Sequence, residues 1–149
     1  SEIDGDIAHR IREKGHEYGT VTKRPRRVGW LDIPQLKYVK EISGITSIAI
    51  MLLDVLSAVE EIKIVTKYYI DGKEIDYVPS TVYELSKVKV ETITRPSWKE
   101  DISNCKSFEE LPINCQKYIE TIEKLLECSI DIISISTEKD ATIIRKELF

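Results

Sequence analysis

The chain has 149 residues, enough for one domain with a real core. Its 42% hydrophobic and 32% charged residues are ordinary for a globular protein, and no apolar run reaches the roughly 20 residues that a membrane-spanning helix needs. The formal charge of −4, from 22 basic and 26 acidic side chains, argues against a general nucleic-acid binder.

In chain order, Ile3, Ile7, Ala8 and Ile11 recur at helical spacing and predict a helix from about Ile3 to Lys14, with Gly15 as its terminator. A cation-rich loop follows. Asp32 is an N-cap for a second helix, with Pro34 in the first turn and Ser43-Gly44 as the break. Ile45 to Leu53 is a near-continuous apolar run, the pattern of a strand covered on both sides in a mainly parallel sheet.

Asp71-Gly72 lies between Ile62 to Ile70 and Lys73 to Val78, and so predicts a hairpin, since that pair accepts the positive φ angles of a tight turn. Val88 to Ile93 alternates as a third strand of the same antiparallel unit, and Arg95 to Trp98 reads as a loop. After Pro112, the spacing of Cys115, Tyr118, Ile119, Ile122, Leu125 and Leu126 predicts an amphipathic helix. Ile130 to Ile135 is a second buried-type strand, followed by a polar turn from Ser136 to Asp140 and a short strand from Thr142 to Arg145. The pattern is α/β: part of a mainly parallel sheet flanked by helices, with a small antiparallel hairpin insertion.

Three chemical features stand out. The run Gly19-Thr20-Val21-Thr22-Lys23-Arg24-Pro25-Arg26-Arg27-Val28-Gly29-Trp30-Leu31-Asp32 gathers four cations, two hydroxyls and two glycines ahead of a helix. It is built to hold anions, carboxylate or phosphate alike, because guanidinium donates bidentate hydrogen bonds to either; a solvated basic surface is the competing reading. The two buried-type strands lead into Asp54 and end at Ser134, and ligands of open α/β sheets sit at the carboxyl ends of strands. At Asp54 the plain alternative is a cap after the strand. No GxxxxGK[ST] phosphate loop occurs, and His9 and His16 have no partner for catalysis at convincing spacing. Cys105, Cys115 and Cys128 form no CxxC pair and read as reduced thiols. The acidic start, Ser1 to Asp6, lacks the apolar segment of a secretory leader and reads as a cut inside a longer sequence.

The loop resembles the aspartate-binding loop of adenylosuccinate synthetase. Further stretches follow in that family's order: Ile50-Met51-Leu52-Leu53-Asp54-Val55-Leu56, Pro96-Ser97-Trp98, Ser107-Phe108-Glu109-Glu110-Leu111-Pro112, Tyr118-Ile119-Glu120 and Ile132-Ile133-Ser134. The likeness runs from about Gly15 to Ile144 and corresponds to the C-terminal third or somewhat more of the family. It implies that residues 1–149 are a single C-terminal segment, without the N-terminal part that carries the phosphate loop and the catalytic acid and base.

The resemblance implies a ligase of AMP biosynthesis that joins IMP to L-aspartate at the expense of GTP, with Mg²⁺ as cofactor, in a cytoplasmic homodimer. Thr22, Arg24 and Arg26 then align with aspartate and IMP contacts, while Asp54 and Ser134 align with groups that read guanine. No catalytic residue or metal ligand is expected in this segment, which by itself is expected to be inactive. Leu52 departs from a usual lysine, Lys23 from a glycine, Val21 from a threonine, and Ser136-Thr137 from a Gly-Pro. Those departures leave room for a synthetase-like paralogue using another purine nucleotide. The residues alone also admit a stand-alone anion-binding module.

Overall fold

A computed structural model describes residues 1–138 and 140–146; Lys139, inside the expected polar turn, lies outside the described residues. The elements are α1 (Gly5–Gly15), β1 (Leu31–Asp32), α2 (Ile33–Ser43), β2 (Ser47–Ile50), β3 (Glu61–Ile70), β4 (Lys73–Ile75), α3 (Val82–Lys87), β5 (Lys89–Pro96), α4 (Ile113–Leu126), β6 (Ser129–Ser134) and β7 (Thr142–Ile144). Short 3₁₀ turns at Leu53–Ala58 and Phe108–Glu110 complete the set.

Local chemistry accounts for most boundaries. The Asp32 carboxylate accepts from the Gln35 amide at 3.2 Å, capping α2 just ahead of Pro34, and Gly44 closes the helix at φ 63°. Asp71 and Gly72 take φ of 50° and 77°, the paired positive angles of a two-residue hairpin, and join β3 to β4 as the sequence predicts. In α4 the buried residues Cys115, Tyr118, Ile119, Ile122 and Leu126 form one stripe against the core. Lys40 of α2 donates to the Leu126 and Glu127 carbonyls at 2.7 and 3.2 Å, satisfying the C-terminus of α4.

The fold is mixed α/β, and its strands divide into two sheets. In one, β3 pairs parallel with β1 and antiparallel with β4 and β5, so the hairpin grows into a four-stranded sheet. In the other, β2 pairs parallel with β6, and β6 antiparallel with β7. The core joins Ile33, Leu53, Ile62, Ile64, Trp98, Ile119, Ile130 and Ile133 across both sheets.

Several elements depart from expectation: β5 runs on through Arg95 and Pro96, which pair with Ile62 and Glu61 where a loop is expected, and β4 stops at Ile75, short of Val78. β2 covers only Ser47–Ile50 of the apolar run, because Leu52 adopts a left-handed φ of 53° and turns the chain into the 3₁₀ segment. β2 is also only half-buried, having a single strand neighbour among the described residues, whereas β6 is mostly buried. Helix α3 has no counterpart in the sequence reading. Its signal is the capping box Thr81-Val82-Tyr83-Glu84: the Thr81 hydroxyl oxygen accepts from the Glu84 amide at 3.2 Å.

Candidate functional site

The cation-rich segment is a closed loop. Tyr18 bridges to Pro25, the Gly19 amide donates to the Arg24 carbonyl, and the Lys23 amide donates to the Gly19 carbonyl, both at 2.9 Å. Lys23 sits at φ 55°, the left-handed region that favours glycine. A Cβ on Gly19 would lie 2.8 Å from the Thr22 hydroxyl oxygen, which packs directly over that glycine and accepts from the Arg24 amide at 3.4 Å.

Thr22, Arg24 and Arg26 are all exposed on this loop. Arg26 pairs with Glu17 at 3.0 Å, and its amide donates to the Glu17 carbonyl at 2.9 Å. Arg24 has no side-chain partner among the described residues. Arg27 leaves the group and binds Glu2 through Nε at 2.7 Å, which holds the Glu2 carboxyl below its ordinary range. Beside it the Ile3 amide donates to the Val28 carbonyl at 2.9 Å, so Arg27 helps to tie the N-terminal segment to the end of the loop.

Asp54 lies in the first turn of the 3₁₀ segment Leu53–Ala58 that follows β2. Its amide donates to the Ile135 carbonyl at 3.0 Å, the Ser57 hydroxyl donates to its carbonyl at 2.7 Å, and its Oδ1 is buried without a hydrogen-bond partner. An unpaired buried carboxylate oxygen is costly unless something fills its valence. The oxygen belongs to a residue lining a cavity of about 200 Å³, whose wall also includes Lys14, Ser57, Lys99, Asp101 and Ser136. The volume is below the roughly 300 Å³ of a drug-sized site.

Ser134 is placed differently. It is buried, and its hydroxyl donates to the Ser136 carbonyl at 3.0 Å, so it shapes the strand end; Ser136, two residues on, lines the cavity. The Pro96-Ser97-Trp98 stretch braces the same turn: the Ser97 hydroxyl donates to the Leu56 carbonyl at 2.7 Å, and Asn114 donates to the Ser97 carbonyl at 3.0 Å.

Helix α1 links the two regions. Lys14 lines the cavity, Gly15 lies against Val55, and Glu17 holds Arg26. A Cβ at Gly15 would lie 3.4 Å from both Val55 methyl groups, so the end of the helix and the turn pack against one another. Glu17 was open to detection as the nearest acid ahead of the cations. Lys14 had no signal in the sequence, since only the packing of α1 brings it beside Asp54. Among the described residues no group of three or more His, Cys, Asp or Glu side chains is gathered to hold a metal ion, and no helix is long and apolar enough to cross a membrane.

The chain is similar to proteins of one family over nearly its whole length. The family model for adenylosuccinate synthetase matches residues 1–143. The adenylosuccinate synthetase of Malacoplasma penetrans is 48% identical over 146 residues, covering 97% of this chain and 34% of that protein. That of Mesoplasma florum is 47% identical over 148 residues, covering 99% of this chain and 34% of the relative. Among solved structures, the fully ligated adenylosuccinate synthetase of Plasmodium falciparum superposes with a TM-score of 0.93 at 42% identity, over 98% of this chain and 35% of that one. The chain thus spans about a third of the length of the relatives it matches. A matching family model over nearly the whole length, together with the same fold, places this chain in the adenylosuccinate synthetase family.

Proposed function

We propose that this chain is the C-terminal third of a synthetase that joins IMP and L-aspartate with GTP as co-substrate, and that it supplies binding groups rather than the reacting acid, base or phosphate loop. The observation that carries this reading is Asp54 at the end of the strand, a residue that lines a cavity of about 200 Å³ and whose Oδ1 is buried without a hydrogen-bond partner. A carboxylate there accepts from the ring N–H and the amino group of guanine. Adenine offers no such pair of donors. Ser134 supports the pocket by holding the Ser136 carbonyl in place.

Thr22, Arg24 and Arg26 form the aspartate and IMP side of the site. Two guanidiniums and a hydroxyl fix a dicarboxylate while its amine stays free to attack. Arg26 already holds the Glu17 carboxylate, so a bound substrate shares or replaces that acid. Mg²⁺ finds no ligand set among the described residues, and in this reading its ligands belong to the part of the synthetase outside this chain. The chain alone is then inactive, and the whole protein is a cytoplasmic homodimer with small-molecule partners and no nucleic-acid or membrane ligand.

The test is the ratio of kcat/KM for GTP, ITP and ATP in the full-length synthetase and its Asp54→Asn variant. ITP lacks the amino group, so the variant should lose roughly one to two decades of GTP over ITP discrimination, the effect of one hydrogen bond to a charged acceptor. An unchanged ratio returns Asp54 to a structural cap. A wild type that prefers ATP replaces the guanine reading with that of a paralogue using another purine nucleotide, consistent with Leu52, Ser136 and Thr137.

A further inference from the structure

The apolar run that forms β2 is less covered than its sequence predicts. Ser47 to Leu52 holds no charged residue and no proline, yet Ala49 is exposed, Met51 is 63% exposed and the others are half-buried. Among the described residues the main chain of β2 bonds to β6 alone, on one side. Two other edge strands are guarded: β4 carries Lys73 and Glu74, while β5 carries Lys89, Glu91 and Arg95 and ends in Pro96. Charge and proline of that kind keep an edge from pairing, and β2 has neither.

A cavity of about 380 Å³ lies beside β2, where Ile48, Ile50 and Met51 meet Leu31 of β1 and Leu36 and Val39 of α2. Every residue from Ser47 to Met51 lines it. Successive side chains of a strand point to opposite faces, so a space lined by all of them borders the edge of β2 rather than one face. Lys40, also in the wall, already donates to the carbonyls of Leu126 and Glu127. β1, α2 and β2 follow one another as strand, helix and strand, a unit whose two strands lie side by side or one strand apart in a sheet. Here β1 pairs with β3 and β2 with β6, and no ladder joins the two, although both line this one apolar space.

We infer that this space receives a β-strand, apolar on both faces, from the part of the synthetase outside this chain, and that the strand pairs with the open edge of β2. This rests on the reading of the chain as a segment of a longer synthetase. Matches that cover 97% and 99% of this chain span 34% of each relative, so about two thirds of a relative's length is available to supply the strand. A strand meets both needs of the edge: it pairs the free N–H and C=O groups of Ser47–Ile50, and it buries Ile48, Ile50 and Met51. It also restores the cover on both sides that the run from Ile45 to Leu53 predicts. Since β2 leads through Leu52 to Asp54, and β1 continues from the basic loop, the same strand fixes the two binding regions relative to one another.

The experiment is hydrogen exchange of the full-length synthetase without substrates, read by mass spectrometry over overlapping peptides, together with thermal melts of Ala49→Glu, Met51→Glu and Val82→Glu. A strand paired on both sides has every amide bonded, whereas a strand paired on one side leaves alternate amides to water. Peptides spanning 47–51 should therefore exchange as slowly as those spanning 130–133. The two β2 variants should melt several degrees below wild type, while Val82→Glu, at a position 86% exposed, melts with it. Open-chain exchange at about half of the β2 amides, with both variants as stable as wild type, would overturn the inference. So would protection that is lost on dilution, which assigns the edge to a second copy, or protection gained only with IMP, aspartate or GTP, which assigns the space to a substrate. Slow exchange in a protein that makes no adenylosuccinate would leave the strand standing and sink the reading of function; fast exchange in an active enzyme would do the reverse.

Discussion

The backbone amide of Asp54 donates to the carbonyl of Ile135 at 3.0 Å, joining the ends of two parallel strands that lie some eighty positions apart in sequence. The main chain holds the acid in place, and its Oδ1 is buried without a hydrogen-bond partner. Such an oxygen costs stability in the ligand-free enzyme, about 1–3 kcal/mol for an unsatisfied buried acceptor, offset by about 0.3–1 kcal/mol for an acid in a first helical turn. Asp54→Ala should therefore stabilise the ligand-free synthetase by about 1 kcal/mol. Denaturant titration checks this, and a destabilised variant would mean that the carboxylate has a partner within the fold.

The basic loop is tested through aspartate. Arg24→Leu or Arg26→Leu in the full-length enzyme should raise the KM for aspartate well over tenfold with a smaller effect on GTP, since each removes charge-assisted hydrogen bonds of about 1.5–3 kcal/mol. Glu17→Gln frees Arg26 from its 3.0 Å pairing and should leave the aspartate KM unchanged or lower. An unchanged constant in both arginine variants would assign the loop to solvated surface.

Lys23 occupies a conformation that suits glycine, at φ 55°. Lys23→Gly should relieve roughly 1–2 kcal/mol of left-handed strain, less up to about 1 kcal/mol for the greater freedom of glycine in the unfolded chain. The expected net result is a small rise in thermal midpoint with the aspartate KM preserved. A fall of several degrees would show that the lysine side chain has a stabilising contact.

Alkaline pH should unfold the protein through α4. Burial pushes the Cys115 thiol up to about 12 from an ordinary 9.0 and raises the Tyr118 hydroxyl too. The unfolded chain then loses these protons first as pH rises. The stability from burying the neutral thiol is complete below about pH 9 and is lost between that value and about 12, with a slope of up to about 1.4 kcal/mol per pH unit for one group. Denaturation curves from pH 7 to 11 should show this decline, and Cys115→Ala, though less stable at pH 7, should show a shallower one. In the native protein at pH 8, alkylation of Cys115 should be far slower than that of half-buried Cys105.

Signals that act over a few residues were legible in the amino-acid order. The Asp32 cap, the Asp71-Gly72 hairpin and the apolar stripe of α4 each depend on neighbours within one or two turns, and each stands where expected. The family likeness was legible too, because its motifs are ordered stretches of chain. Helix α3 carries a signal only in Thr81 and Glu84, its six residues being too short to show a periodicity. Tertiary structure alone decided the cavity. Pairing β2 with β6 and seating Gly15 on Val55 buries apolar faces drawn from three separate parts of the chain, and that burial brings Asp54, Ser136 and Lys14 to one wall while turning Ser134 inward. No local preference encodes such a meeting; it follows from which apolar surfaces leave water together.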